Sequence, residues 1–298
     1  MKNQSYQYED QVLKELQNVE KEVLRNFDKV CKSHNLKYFG VFGTALGAIR
    51  HKGFIPWDDD IDVGMMLEDY EKLMMVPECE WEQLGLELQS AFDNCSYHMF
   101  LYPCIYKKGT RFIGKAQVHS IRNSKMDLSC RPIFLDVFVF SHVSDFSVVN
   151  KYSKKLYRLS RYWRYSLIGM RTIPGDGFIF NAHCVINNAL HGILSLFPNS
   201  DVFFRDKFWK TIKELNVGQY VTTFTADVSE ASKLYMKESD IFPLVNVSFE
   251  DIQLPMPKNY DKMLRSLYGD YMKIPAVSER VNHAPRTLDF GNGDVISK

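Results

Sequence analysis

The 298-residue chain has no run of 18 apolar residues, so a membrane-spanning helix is not expected. An excess of one charge is also missing. Lys and Arg number 37 against 36 Asp and Glu, a net charge of +1. Dedicated nucleic-acid binders are usually more basic, so no nucleic-acid partner is expected. The cysteines (Cys31, Cys79, Cys95, Cys104, Cys130, Cys184) include no C-x-x-C pair. That removes the common structural zinc and dithiol patterns. Their apolar surroundings predict reduced, buried thiols in a cytoplasmic compartment. The opening MKNQSYQYEDQ has no apolar h-region, so no signal peptide is expected. With 16 Gly and 11 Pro, collagen-like and low-complexity classes drop out. What remains is a globular composition: 45% hydrophobic, 24% charged and 14% aromatic residues.

Apolar residues from Val12 to Cys31 recur every three or four positions, predicting an amphipathic helix over 9–34. KYFGVF, 37–42, reads as a buried strand and is followed by a glycine-rich turn. A second strand is expected from near Pro56 to Met66, then a helix over 67–76. Two strands joined by KKGT, around 99–106 and 112–118, read as a hairpin. PIFLDVFVF, 132–140, is an apolar strand holding one Asp. Helices are expected near 151–171 and 178–196, and a short one at 260–268. This organisation divides the chain into a catalytic core (1–145), a mostly helical insertion (146–219) and a C-terminal part (220–298) completing the catalytic body.

Asp58, Asp59, Asp60 and Asp62 are the most informative residues. On a strand, Asp58, Asp60 and Asp62 would share one face. Three such carboxylates repel each other and call for a cation; hard oxygen ligands suit Mg²⁺ or Mn²⁺. The bland alternative is a solvated acidic turn, but Ile61 and Val63 suit a half-buried strand. Asp136 is the second anomaly, because a buried strand rarely tolerates an unpaired carboxylate. It is either a structural partner of a cap or Arg, or a further carboxylate beside Asp60 and Asp62, binding metal or accepting a proton.

FGTALGAIRHKGFIPWDDDIDVGM, with the following Glu68-Asp69-Tyr70-Glu71-Lys72, closely resembles the signature of the LicD family of phosphotransferases, to which fukutin-type proteins are related. The lead-in Cys31–Tyr38 and the C-terminal segments Pro255–Tyr260, Tyr268–Met272, Arg280 and His283 resemble the family too. The likeness is weak from about 145 to 220. It implies an α+β nucleotidyltransferase-like fold, a mixed sheet flanked by helices. Gly43-Thr44, Asp60-Ile61-Asp62-Val63 and Asp136 match that superfamily's pattern, with Thr where many members have Ser. The implied reaction moves phosphocholine from CDP-choline onto a glycan or lipid-linked glycan hydroxyl, releasing CMP.

Under that resemblance Asp60, Asp62 and Asp136 would hold the metal. Asp136 or Asp58 would deprotonate the acceptor. Arg50, His51 and Lys52 form a basic trio for the donor phosphates, and His283 reaches the phosphates or the acceptor. A quaternary ammonium would want an aromatic cage. Trp57 ranks first, with Tyr38, Phe39, Phe54, Tyr97, Tyr102 and Tyr106 nearby. With 21 Phe, 16 Tyr and 4 Trp, no single ring separates choline from ribitol or glycerol. A true nucleotidyltransferase and an inactive glycan-binding scaffold are the other readings. From Lys151 to Arg171 lie seven basic residues, no acidic one, and interleaved Tyr and Trp. That pattern suits either a solvated basic face or peripheral contact with anionic lipid on the inner face of the membrane.

Overall fold

The amphipathic stripe near the N-terminus folds as α1 (Asp10–Ser33), which buries Leu16, Val23, Leu24 and Phe27 completely. A computed structural model describes residues 8–293 and 295–297. After α1 the chain enters β1 (Tyr38–Gly40), α2 (Phe42–His51), β2 (Asp62–Met66) and α3 (Leu67–Leu73). Two expectations need correction here. The glycine-rich segment is not a turn but helix α2, and β2 begins only at Asp62. Asp58, Asp59 and Asp60 lie in the irregular stretch before it, so the strand alternation does not apply to them.

Next come α4 (Glu78–Gln83), β3 (Leu86–Gln89), β4 (Cys104–Lys107), β5 (Arg111–Ile113), α5 (Lys115–His119) and β6 (Phe134–Val143). β4 and β5 do not form the expected hairpin. β4 pairs with β3 and β6, whereas β5 pairs with a strand from the far end of the chain. Local turn chemistry is overruled because both strands find better apolar partners elsewhere. Three long helices follow, α6 (Phe146–Leu167), α7 (Phe178–Leu194) and α8 (Ser200–Leu215). The remainder is β7 (Tyr220–Thr223), α9 (Val228–Lys233), β8 (Met236–Lys237), α10 (Glu238–Ile241), β9 (Val245–Phe249), β10 (Ile252–Met256), α11 (Tyr260–Tyr268), β11 (Thr287–Asp289) and β12 (Val295–Ser297).

Among the described residues the main sheet has seven strands, with β1, β2, β6, β4 and β3 in that order. β6 organises it. One edge pairs with β2 in parallel; the other takes β4 near its start and β7 near its end, both antiparallel. Its run of Leu135, Val137, Val139 and Phe140 is almost wholly buried, as a strand covered on both faces should be. This is the expected α+β, nucleotidyltransferase-like mixed sheet with flanking helices. No helix among the described residues is long and apolar enough to cross a membrane.

The cysteines are free, as expected, yet only Cys31, Cys104 and Cys184 are buried; Cys79 and Cys130 are exposed. The aromatic residues of α6 also differ from expectation. Trp163 and Tyr165 turn into the protein, while Lys151, Lys154, Lys155 and Arg158 face solvent.

Candidate active site

β2 and β6 run parallel in a register that places Asp62 opposite Asp136. β2 starts at Asp62, Asp136 is the third residue of β6, and the N–H of each is held by a neighbour. The Asp62 N–H donates to Thr44 Oγ1 at 2.8 Å, and the Asp136 N–H donates to the Ile61 carbonyl at 3.0 Å. Thr44 is thus buried beneath the site, where it fixes the strand start. Gly43 has a different reason to be glycine. A Cβ there would lie 2.5 Å from Asp58 Oδ2, so the Asp58 carboxylate rests against the first turn of α2. Gly47, one turn on, lets α2 pass under the following loop; its Cβ would meet the Gly53 carbonyl at 2.4 Å.

Asp136 is buried and accepts two neutral donors. Cys104 Sγ donates to Oδ1 at 3.0 Å and Tyr102 Oη to Oδ2 at 3.2 Å. Burial raises its carboxyl above the usual range; the buried Arg131 guanidinium and these two donors work against that rise. Asp62 is also pushed up, by burial and then by the charges of Asp60, Asp136 and Asp58. Asp60 is held at about 6, with burial as the main cause. Asp58 rises through burial and the nearby charges of Asp60 and Asp59. The four groups destabilise one another's ionised forms.

Asp59 has another role. It is fully buried and accepts the Tyr8 hydroxyl at 2.7 Å and the His283 N–H at 2.9 Å. It therefore latches the C-terminal segment onto the acidic loop. That latch brings the His283 ring in, with Nδ1 3.4 Å from Asp59 and 3.5 Å from Asp60. The hydrogen bond to Asp59 and the surrounding carboxylates push the imidazole up to about 9, against the opposing effect of burial.

The basic trio divides. Arg50 donates Nε to His51 Nε2 at 2.9 Å and Nη1 to the Tyr271 carbonyl at 2.9 Å, so it braces the C-terminal loop. Desolvation and the Arg50 charge lower the His51 value. Lys52 ends α2 in the left-handed region, is exposed, and accepts the Glu250 N–H through its carbonyl. Trp57 stands near Asp58, but Arg280 lies 4.2 Å over its ring. Tyr38 is not at the site. It is buried behind β1, packs on Phe27 and donates to Asp28 at 3.0 Å. Apolar surroundings in a β-strand gave it the appearance of a cage residue; the strand's direction carries it away.

Two roles at the site are not legible in the sequence. Glu20 is buried in α1 with Oε2 unpartnered, and its carboxyl is raised by burial and by Asp60, Asp59, Asp58 and Asp62. Its signal was an acidic residue four positions after Leu16 and four before Leu24, inside the apolar stripe. Tyr102, one of the candidate cage rings in the sequence, is also a donor to Asp136.

Among the described residues, no three His, Cys, Asp or Glu side chains are gathered closely enough to hold a metal ion as they stand. In donor chemistry, though not in present placement, the carboxylates suit a hard divalent cation. Asp60, Asp62 and Asp136 carry oxygen donors whose repulsion is only partly compensated, and Glu20, which feels their charge, has an unpartnered carboxyl oxygen. Mg²⁺ commonly takes one or two carboxylates and completes its shell with water and substrate phosphates.

Comparison with known proteins agrees with this architecture. Residues 35–155 match the family model described as LicD/FKTN/FKRP, nucleotidyltransferase domain. The match spans β1, α2, the acidic loop, β2 and β6. The chain is similar to the lipopolysaccharide cholinephosphotransferase LicD of Haemophilus influenzae, with 27% identity over 273 residues, 91% of this chain and 95% of the relative. It is also similar to an uncharacterized protein of Rickettsia prowazekii, 33% identical over 94 residues, 31% of this chain and 35% of that protein. Residues 35–155 thus resemble a LicD-type nucleotidyltransferase domain, and most of the chain is similar to a cholinephosphotransferase of that type.

Proposed function

We propose that this enzyme transfers phosphocholine from CDP-choline to a hydroxyl of a glycan or of its lipid-linked precursor. The observation that carries the reading is the in-register pair Asp62 and Asp136 beside the Asp58–Asp60 loop. The similarity to a lipopolysaccharide cholinephosphotransferase supports choline as the alcohol and a glycan as the acceptor.

In this reading the acceptor oxygen attacks the choline-bearing phosphorus. The bond from that phosphorus to the bridging pyrophosphate oxygen breaks, and CMP leaves. Asp136 takes the proton of the attacking hydroxyl; its hydrogen bonds from Tyr102 and Cys104 hold it in one orientation. Asp58 is the alternative base. Asp60 and Asp62, with Asp136, would hold Mg²⁺ or Mn²⁺, which supplies charge neutralisation on the pyrophosphate. His283, cationic near neutral pH, faces the same cluster and is positioned to approach an anionic donor. Free cysteines among the described residues suit a cytoplasmic location.

The test is CMP release from CDP-choline in the presence of a glycan acceptor, with Mg²⁺ and with chelator. Mg²⁺-dependent CMP and a phosphocholine-bearing product support the reading. Release from CDP-ribitol or CDP-glycerol instead keeps the chemistry and changes the alcohol. Pyrophosphate release from CTP would mark a true nucleotidyltransferase. Loss of no activity in Asp62→Asn would point to a scaffold.

A further inference from the structure

A cavity of about 250 Å³ lies beside the carboxylates, with Tyr102, Phe138, Tyr157, Trp163, Asp227 and Glu230 in its wall. Its wall is linked to the acidic cluster through three of its residues. Tyr102 donates to Asp136, Phe138 follows Asp136 by two residues on β6, and the Glu230 charge reaches Asp62. The Tyr102 and Phe138 rings meet with centroids 4.6 Å apart. The wall's hydroxyls are already engaged inside the protein. Tyr102 is bound to Asp136, Ser160 donates to the Tyr157 carbonyl, and Thr225 accepts the Val139 N–H. Asp227 and Glu230 bring negative charge against the single guanidinium of Arg164. One Glu230 oxygen accepts the Asp227 N–H, which holds that carboxylate in place.

We propose that this cavity receives the cationic head of the transferred alcohol, a quaternary ammonium of the choline type. The proposal rests on the phosphocholine reading above. A quaternary ammonium has no N–H to donate, so aromatic faces and diffuse negative charge are what recognise it. A polyol head would bring several hydroxyls, each costly to bury unpaired, to a wall whose hydroxyls are committed elsewhere. The site is therefore assembled by β6, the segment before β4, α6 and the turn into α9. Of the rings considered for a cage in the sequence, Tyr102 alone belongs to it; Tyr157 and Trp163 come from the basic, aromatic stretch.

The experiment is calorimetric titration of CDP-choline, CDP-glycerol and CMP, with Mg²⁺, into wild type, Tyr157→Leu, Tyr157→Phe and Glu230→Gln. Tyr157 is half-buried on a surface helix, and the Phe variant keeps the ring and controls for folding. Tyr157→Leu and Glu230→Gln should each weaken CDP-choline by about 2- to 30-fold. Tyr157→Phe should bind like wild type, and CMP affinity should not change in any variant. Equal weakening of CMP, or unchanged CDP-choline affinity, overturns the assignment of the cavity while leaving the phosphocholine reading intact. Failure of wild type to bind CDP-choline overturns both.

A separate observation concerns α7. From Gly177 to Ser200 there is no Asp, Glu, Lys or Arg. Phe178, Ile179, Ile186, Ile193, Leu196 and Phe197 all stand exposed, Phe178 at 89%. Monomeric surfaces seldom carry so large a contiguous apolar face. α6 packs against α7, with the Tyr165 carbonyl 2.8 Å from His191 Nδ1. Its exposed Lys151, Lys154, Lys155 and Arg158 supply a positive flank, and no acidic residue lies between Phe146 and Arg171. An apolar face with a basic flank is complementary to hydrocarbon bordered by anionic headgroups. We infer that α7 rests on an anionic bilayer surface. The basic helix α6 flanks the contact, since its own Trp163 and Tyr165 are spent in the core.

Vesicle flotation with and without anionic phosphatidylglycerol tests this. Wild type should float with anionic vesicles, and Phe178→Ser/Ile179→Ser/Leu196→Ser should lose most of that binding. CDP-choline affinity should be unchanged. Equal flotation of the variant overturns the inference. So does a wild type that ignores vesicles but sediments as a dimer that the variant cannot form.

Discussion

Asp62 and Asp136 are register partners on adjacent parallel strands, although 73 positions separate them in the sequence. Two carboxylates so placed repel, and each is held above its ordinary value in part by burial. Removing one should therefore trade function against stability. Asp62→Asn is expected to lower the transfer rate by about 10²- to 10³-fold. Without divalent cation its melting temperature should rise, by about 2 °C for each 1 kcal/mol of repulsion relieved. Paired turnover and thermal-melt measurements check both signs.

The same repulsion sets a pH dependence. Asp60, held at about 6, keeps its proton more tightly in the folded protein than in the unfolded chain. Its contribution is full below the ordinary carboxylate value and is lost as pH rises through about 6. His283, pushed up to about 9, adds stability below its ordinary value that is lost as pH rises through about 9. In chelator, melting temperature should fall across both windows. Saturating Mg²⁺ should flatten the first, and so should Asp60→Asn.

Thr44 acts through the Asp62 backbone. Thr44→Val keeps the shape but leaves the Asp62 N–H without its acceptor, which should cost about 1–3 kcal/mol. Thr44→Ser should restore most of it. Denaturant melts of the pair distinguish this from a direct substrate contact, for which binding rather than stability would fall.

Asp59 should behave as a latch. Asp59→Ala leaves the Tyr8 hydroxyl and the His283 N–H without their acceptor. Stability should fall by about 2–4 kcal/mol. Hydrogen exchange should speed up at His283 and its neighbours before it does in β6. Unchanged exchange there would rule out the latch.

Much of this was legible beforehand. The stripe of α1, the helix at Tyr260–Tyr268 and the apolar run of β6 follow from local periodicity. The anomaly of Asp136 was visible because one carboxylate interrupts a strand otherwise fit for burial. The acidic loop reads as strand in the sequence, since Asp60-Ile61-Asp62-Val63 mimics a period of two. α2 reads as a turn in the sequence because its glycines suggest freedom, whereas Gly43 and Gly47 are required by close approach.

The sequence by itself determined the chemistry available: a cluster of carboxylates, a buried Asp, a family signature and a basic helix. Those depend on residue type and short-range spacing, which the chain carries locally. Tertiary structure decided which groups meet. It set Asp62 against Asp136 and turned Tyr38 inward. It also committed Arg50 to the C-terminal loop and gathered Tyr102, Phe138, Tyr157 and Trp163 around one cavity. Strand pairing and helix packing join residues far apart in the chain, and the burial gained there outweighs any single local preference.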